Sequence, residues 1–183
     1  MFGGALMKKV LIITSSLREQ SNSTLLAQAF KEGAEEKGNE VEIISLRENR
    51  IAPCVGCGSC QVHGECFMKD KLNDILDKVI DADVLVFASP TYYYSVNGTL
   101  KNFIDRTYAK YSKIKNKDFY YIGSSSDTSK ESIDGAVETV KGFLRCVENV
   151  NLKGIVYGLN LNDQGEARYS ESLKQAYEMG KNI

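Results

Sequence analysis

Two short apolar runs constrain the fold of this chain more than any other feature. Lys9 to Thr14 (KVLIIT) and Asp83 to Ala88 (DVLVFA) consist almost entirely of aliphatic and other apolar residues, without regular polar alternation. A strand has this composition when both of its faces are buried, as in a parallel sheet that is covered by helices. The runs therefore predict two interior strands of an α/β protein.

Three further segments are predicted to be strands, and five segments carry helical periodicity. The other predicted strands are 40–46, 117–122 and 154–157, and the predicted helices are 24–37, 70–80, 98–111, 133–147 and 170–181. This alternation of strand and helix predicts a three-layer, doubly wound parallel sheet of five strands. We expect the flavodoxin-like strand order 2-1-3-4-5, with the second strand at an edge.

Length and charge narrow the class of protein. The 183 residues fit one domain over 1–183, and the formal net charge of −1 creates no field that favours nucleic acid or an anionic membrane. The chain has no run of about 18 apolar residues, so we expect no membrane span. Residues 1–6 lack the basic start of a signal peptide and are interpreted as an extension without a role in the fold, so we expect a cytoplasmic protein.

The loops that follow the first, third and fourth strands are the expected binding loops, because ligands of such sheets bind at the carboxyl ends of strands. The first loop, 15–24, has neither a GxGxxG motif nor a Walker lysine. Seven of its ten side chains are hydroxyls or amides, and Arg18 adds a positive charge. The loop favours a phosphate held at a helix N-terminus, although a serine or asparagine N-cap alone would explain one or two of these residues.

The second loop, 89–97, carries three consecutive tyrosines at 92–94. Neighbouring side chains of an extended segment point in opposite directions, so all three rings cannot face a core. The rings are suited to a planar heteroaromatic ligand, or alternatively to the interface with another copy of the chain. The third loop, 123–129, is small and polar, and either contacts the ligand or caps the following helix.

Four of the five cysteines lie within a loop at about 47–69. Their spacing, C-x2-C-x2-C-x5-C, fits an iron–sulfur loop better than zinc, because zinc sites usually pair two short knuckles across a longer spacer. A redox pair of Cys54 with Cys57, or free thiols, are the other interpretations. The fifth cysteine, Cys146, lies in an apolar helical pattern and is predicted to be a core residue, whereas the single histidine, His63, is predicted to be a solvated loop residue.

From Lys8 to about Ile155 the chain resembles the flavodoxin-like NAD(P)H-dependent FMN reductase family. The S-x-R-x-x-S-N-S pattern of the first loop resembles the family's FMN-phosphate loop, and 89–93 followed by 100–106 resembles its isoalloxazine loop and helix. The cysteine run is similar to the iron–sulfur flavoprotein subgroup, in which such a motif binds a [4Fe–4S] cluster near FMN. The resemblance implies FMN contacts from Ser16, Arg18, Ser21, Asn22, Ser23, Pro90, Thr91, Tyr92, Tyr93, Ser124 and Ser125, and cluster ligands Cys54, Cys57, Cys60 and Cys66.

The resemblance implies an FMN-dependent oxidoreductase that moves electrons between NAD(P)H, or another reduced donor, and a small acceptor such as a flavin or a quinone. No catalytic acid–base side chain is required, because FMN carries the chemistry. One alternative is an electron carrier with FMN and a cluster but no NAD(P)H oxidation, and another is a flavin-free binding module on the same fold. We expect small-molecule partners, a ferredoxin-like redox partner, and a homodimer or homotetramer.

Overall fold

The computed structural model describes residues 6–183, and these residues form a parallel five-stranded sheet covered by helices. The strand order is β2-β1-β3-β5-β6, and a sixth strand, β4, pairs antiparallel with the end of β3. The strands are β1 Lys9–Thr14, β2 Glu40–Ser45, β3 Val84–Tyr92, β4 Ser95–Val96, β5 Lys115–Ser124 and β6 Glu148–Gly158. The helices are α1 Asn22–Glu36, α2 Ser59–His63, α3 Leu72–Asp81, α4 Gly98–Arg106, α5 Glu131–Leu144 and α6 Glu171–Lys181.

The order of the five parallel strands confirms the predicted flavodoxin-like topology. Counted without the short β4, it is 2-1-3-4-5, and β2 lies at the edge as expected. In β1, Leu11 and Ile13 contribute to a core with residues of α3, α4 and α5, whereas Val10 and Ile12 contribute to a second core with residues of α1 and α6. Both faces of the central strands are thus buried, which explains why their sequences show no polar alternation.

The segment predicted as a loop at 89–97 is partly strand. β3 continues to Tyr92 because its last residues pair with β5, where Ser89 lies opposite Gly123 and Pro90 lies opposite Ser124. A two-residue turn then leads into β4, with Tyr92 opposite Ser95. The prediction of a continuous loop here was wrong, because tertiary pairing, and not local propensity, extends the strand.

Helix ends and the last strand also differ from the sequence expectations. α4 ends at Arg106 and not at 111. Two 3-10 turns follow, at Thr107–Ala109 and Tyr111–Lys113. At the end of α4, Thr107 Oγ1 donates a hydrogen bond of 2.7 Å to the Ile104 carbonyl. α5 ends at Leu144, two residues before Cys146, so Cys146 is exposed and the prediction of a core cysteine was wrong. β6 begins six residues before the predicted strand, because its polar first half pairs with β5.

The expectation that residues 1–6 play no part in the fold falls largely outside the described residues. Between residues 6 and 183, no helix combines the length and the apolar character that crossing a membrane requires.

Candidate functional site: a switch-point cavity and a cysteine cavity

A cavity of about 280 Å³ opens at the carboxyl ends of β1, β3, β5 and β6. It lies at the edge where the predicted binding loops meet, on either side of the point at which the strand order reverses. Nine of the eleven residues predicted to bind a cofactor line it. The lining residues are Ser16, Arg18, Ser21, Asn22, Pro90, Thr91, Tyr92, Ser124, Ser125, Ser126, Leu161, Asn162 and Gln164.

The N-terminus of α1 forms one end of this cavity. Ser21 is the N-cap, and its side chain accepts a hydrogen bond of 3.3 Å from the Thr24 N–H. The other backbone N–H groups of the first helical turn have no partner within the helix, so they are available to an anion. Arg18 is exposed on the cavity wall and supplies a positive charge near these donors. Ser23 is fully buried, its hydroxyl lies 3.4 Å from that of Ser21, and it does not line the cavity.

The three tyrosines lie at the end of β3 and in the turn that follows it. Tyr93 and Tyr94 occupy the two-residue turn with φ of 49° and 58°, a left-handed conformation that is strained for aromatic residues. The turn holds all three rings outside the core, and the side chain of Tyr92 lines the cavity while Tyr93 is fully exposed. The structure therefore confirms that these rings do not pack in the core, and it brings one of them to the site.

Asn97 connects the loop after β1 with the end of β3 by hydrogen bonds. Its Nδ2 donates to the Ser15 carbonyl (2.8 Å), its backbone N–H donates to Ser89 Oγ (3.3 Å), and its Oδ1 caps α4 by accepting from the Leu100 N–H (3.1 Å). The loops after β1 and β3 are thereby fixed relative to each other. The hydroxyl of Thr91, which lines the cavity, is buried without a hydrogen-bond partner among the described residues. A bound ligand could supply the missing partner.

The loop after β6 also lines the cavity, although it was not predicted as a binding loop. Leu161, Asn162 and Gln164 belong to this loop. The side chain of Asn22 holds it in place: Nδ2 donates to the Asp163 carbonyl (2.9 Å), and Oδ1 accepts from the Ala167 N–H (3.0 Å). The side chain of Asn22 is therefore engaged with protein groups. Its position could have revealed it, because β6 pairs in parallel with β5 and therefore ends at the same edge of the sheet.

The four clustered cysteines line a second cavity, of about 130 Å³, which shares no lining residue with the first. The wall consists mainly of backbone and apolar side chains, and includes Arg106 and Tyr108. The glycines between the cysteines allow the loop to turn tightly, since Gly56 and Gly58 adopt φ of 66° and 72°. The four cysteines that the spacing grouped all line this one cavity, namely Cys54, Cys57, Cys60 and Cys66.

Arg106 is the charged group of the cysteine cavity. Its Nη2 donates to Cys66 Sγ (3.0 Å), and its Nη1 donates to the Ala52 carbonyl (3.1 Å) and to the Asp70 carboxylate. Burial lowers the pKa of Arg106, but its hydrogen bonds to Asp70 and Cys66 outweigh this effect and keep the pKa above its ordinary value. Burial has the opposite effect on the carboxyl group of Asp70 and raises its pKa. Hydrogen bonds from Arg106 and from backbone N–H groups outweigh this effect and hold the pKa of Asp70 below its usual range.

The arrangement of ligand atoms differs from that of a mononuclear metal site. Over residues 6–183, no three side chains of His, Cys, Asp or Glu converge so that they would hold one metal ion. Four cysteine thiols are the donor set that a [4Fe–4S] cluster uses. His63 lies exposed at the end of α2, as predicted for a solvated residue, although within a short helix and not a loop.

The fold and the first cavity define a flavodoxin-like α/β protein with a polar, anion-compatible site at the switch point. The model of a family described as NADPH-dependent FMN reductase matches residues 8–152. The chain therefore belongs to the NADPH-dependent FMN reductase family, a family of oxidoreductases.

Curated relatives place the chain near the iron–sulfur flavoproteins of this family. An iron–sulfur flavoprotein of Archaeoglobus fulgidus is 32% identical over 186 residues, covering 97% of this chain and 79% of the relative. Another, from Methanocaldococcus jannaschii, is 37% identical over 99 residues, covering 54% of this chain and 51% of the relative. The chain thus spans about half the length of the latter relative.

Solved structures share the fold at lower identity. An NAD(P)H:quinone oxidoreductase from Methanothermobacter marburgensis is similar with a TM-score of 0.73 and 20% identity, and the match covers 96% of each chain. At this level of identity, the likeness confirms the flavodoxin-like fold.

Proposed function

We propose that this protein is an FMN-dependent oxidoreductase that takes electrons from NAD(P)H and delivers them to a small acceptor such as a flavin or a quinone. The observation that carries the proposal is the switch-point cavity, which is lined by a helix N-terminus, several hydroxyls, Arg18 and the ring of Tyr92. Membership of the FMN reductase family supports the same function.

The phosphate of FMN would be held at the α1 end. Here the free N–H groups of the first turn, the Ser16 hydroxyl and Arg18 offer donors to an anion, and the positive end of the helix dipole favours its charge. Asn22 would act indirectly, because its side chain fixes the loop after β6 against this end of the cavity.

The flavin ring would lie at the other end, against the segment from Pro90 to Tyr92 and the polar residues Ser124 and Ser125. When bound, FMN supplies the redox chemistry, since it accepts a hydride and passes electrons onward. The protein binds and orients the cofactor. The strained turn at Tyr93 and Tyr94, next to Tyr92, keeps two further aromatic rings exposed, and a nicotinamide or an acceptor ring would approach beside them.

The phosphate subsite can be tested by comparing FMN with riboflavin, which lacks the phosphate. Flavin fluorescence titrations give the Kd of each ligand for the wild type, Arg18→Gln and, as a control, Arg145→Gln on the exposed end of α5. A charge-assisted hydrogen bond contributes about 1.5–3 kcal/mol, so Arg18→Gln should weaken FMN binding by about 10- to 100-fold and leave riboflavin binding unchanged. Equal affinity of the wild type for both ligands would reject the phosphate subsite.

We further propose that the four clustered cysteines bind a [4Fe–4S] cluster that exchanges electrons with the flavin site. The four cysteines line one cavity, which supports this proposal, as does the similarity to iron–sulfur flavoproteins. Cys54, Cys57, Cys60 and Cys66 would be the ligands, because thiolates are the usual ligands of such clusters.

The cluster can be tested with single serine substitutions under anaerobic conditions. Each of the four cysteines is replaced in turn, and Cys146→Ser is the matched control, because Cys146 is exposed and lies outside this cavity. We expect about four iron atoms per chain in the wild type and the control, and loss of most iron in the other variants. Iron-free wild-type protein with intact FMN binding would reject the cluster and leave a simple flavin reductase.

We also propose that the protein assembles as a homo-oligomer. An apolar groove of about 710 Å³ runs between α4 and α5, and the stacked rings of Tyr108 and Tyr111, 5.3 Å apart, contribute to its wall. Exposed apolar surface of this kind is typical of an interface. Light scattering should give a mass of two or four chains for the wild type and a smaller mass for Tyr111→Glu; a monomeric wild type would reject the proposal.

A further inference from the structure

Arg106 is an unusual residue for the end of a surface helix, because it is almost completely buried. Its relative exposure is 2%, and its Nε has no hydrogen-bond partner among residues 6–183. Burying a guanidinium group is unfavourable unless the group is paired. The remaining nitrogens are paired, and their partners all belong to the segment that carries the cysteines.

The partners of Arg106 lie at both ends of the cysteine loop. Ala52 precedes the first clustered cysteine and Asp70 follows the last, and Nη1 binds the carbonyl of one and the carboxylate of the other. The Asp70 carboxylate also accepts from the Ala52 N–H (3.3 Å), so the two ends are joined directly as well. The guanidinium group therefore closes the loop at its base.

Cys66 is fixed more firmly than its counterparts. Its sulfur accepts from Arg106, while its backbone N–H and carbonyl pair with the side chain of Asn73 at 3.1 and 2.8 Å. Cys54 and Cys57 are exposed on the opposite part of the loop. Hydrogen bonds thus fix Cys66 both at its sulfur and at its backbone.

We propose that Arg106 is a positioning residue of the cysteine site: it closes the loop, fixes the Cys66 sulfur, and places a permanent positive charge in the wall of the cavity. The charge is permanent because a guanidinium group stays protonated in proteins. The forked geometry matters as much as the charge, since three acceptors at different positions are bound by one planar group. The effect on a cluster rests on the proposed function, whereas the closure of the loop belongs to the protein itself.

The first test uses the protein without metal and measures amide hydrogen exchange at Ala52 and Cys66. Arg106→Met removes the charge and the fork, and Arg106→Lys keeps only the charge. Arg145→Met and Arg145→Lys are matched controls on an exposed arginine. We expect exchange at both amides to accelerate at least about tenfold in both Arg106 variants, and to stay unchanged in the controls. Unchanged exchange in a folded Arg106→Lys protein would overturn the inference, and this variant decides the matter if Arg106→Met does not fold.

The second test uses reconstituted protein and measures the reduction potential of the iron–sulfur centre. A nearby positive charge stabilises the reduced, more negative form, so Arg106→Met should lower the potential and Arg106→Lys should restore most of the difference. A merely structural role would not depend on the charge, and equal potentials in the two variants would overturn this part of the inference. If the wild type binds no iron while the exchange results hold, the cluster proposal fails and the closure of the loop by Arg106 stands.

Discussion

The close contact between Gly135 and the tyrosine turn gives a sharp prediction. Gly135 lies in α5, and a Cβ atom added there would come within 2.1 Å of the Tyr94 carbonyl oxygen. Carbon and carbonyl oxygen normally approach to about 3.3 Å, so the turn or the helix must move by more than about 1 Å. Because the obstructing atom is backbone, Gly135→Ala should displace the turn that carries Tyr93 and Tyr94.

The same helix provides a matched control at Gly142, where an added Cβ would meet nothing within 4 Å. An alanine in a helix is about 0.5–1 kcal/mol more favourable than a glycine, so Gly142→Ala should stabilise the protein by this amount. At Gly135 the same gain is opposed by an overpacking penalty of about 1–3 kcal/mol. We therefore expect the two variants to differ by about 1–3 kcal/mol in the free energy of unfolding.

Urea unfolding of both variants and the wild type, followed by circular dichroism, measures this difference. Flavin titration of the same samples asks whether the turn shapes the cofactor site, and we expect weaker FMN binding only in Gly135→Ala. If Gly135→Ala were as stable as Gly142→Ala and bound FMN equally well, the close packing of the tyrosine turn against α5 would be refuted.

Two further predictions concern the loop after β6 and the alkaline limit of stability. Asn22→Ala should lower the free energy of unfolding by about 1–3 kcal/mol, because the backbone N–H of the buried Ala167 loses its hydrogen bond. The exposed Gln28→Ala on the same helix should change it by less than about 0.5 kcal/mol, and urea unfolding with similar losses in both would contradict the role of Asn22. Burial raises the pKa of Tyr121 well above its ordinary value, so the contribution of this group to stability is complete below about pH 10, the unfolded pKa, and is lost as pH rises toward the folded pKa. Stability measured between pH 9 and 11 should therefore fall less steeply in Tyr121→Phe than in the wild type, by up to about 1.4 kcal/mol per pH unit, and equal slopes would contradict the burial of this hydroxyl.

The sequence predicted best the elements whose burial is uniform. β1 matched its predicted limits and β3 began within one residue of them, because strands buried on both faces are continuously apolar. The first half of β6 was missed because its polar residues, such as Glu148 and Asn151, carry no strand pattern, and only pairing with β5 makes it a strand. Cys146 was misplaced for a related reason, since a helical pattern continued past the residue at which α5 ends.

The candidate site divides in the same way. The switch-point rule located three of the four loops that line the first cavity, and it would have located the fourth if applied to the last strand. The cysteine spacing grouped four thiols that the fold does bring together. Arg106 could not be recognised as their partner, because its contacts lie 36 to 54 residues away in the sequence, and no local pattern encodes them.

Anaerobic absorption spectroscopy of the purified protein, before and after addition of NAD(P)H, asks whether FMN carries electrons in this protein. We expect one FMN per chain, with flavin bands that bleach on addition of the reduced nicotinamide and recover when a flavin or quinone acceptor is added. A colourless protein that does not bind added FMN would rule out a flavin oxidoreductase, and would leave a binding module on the same fold.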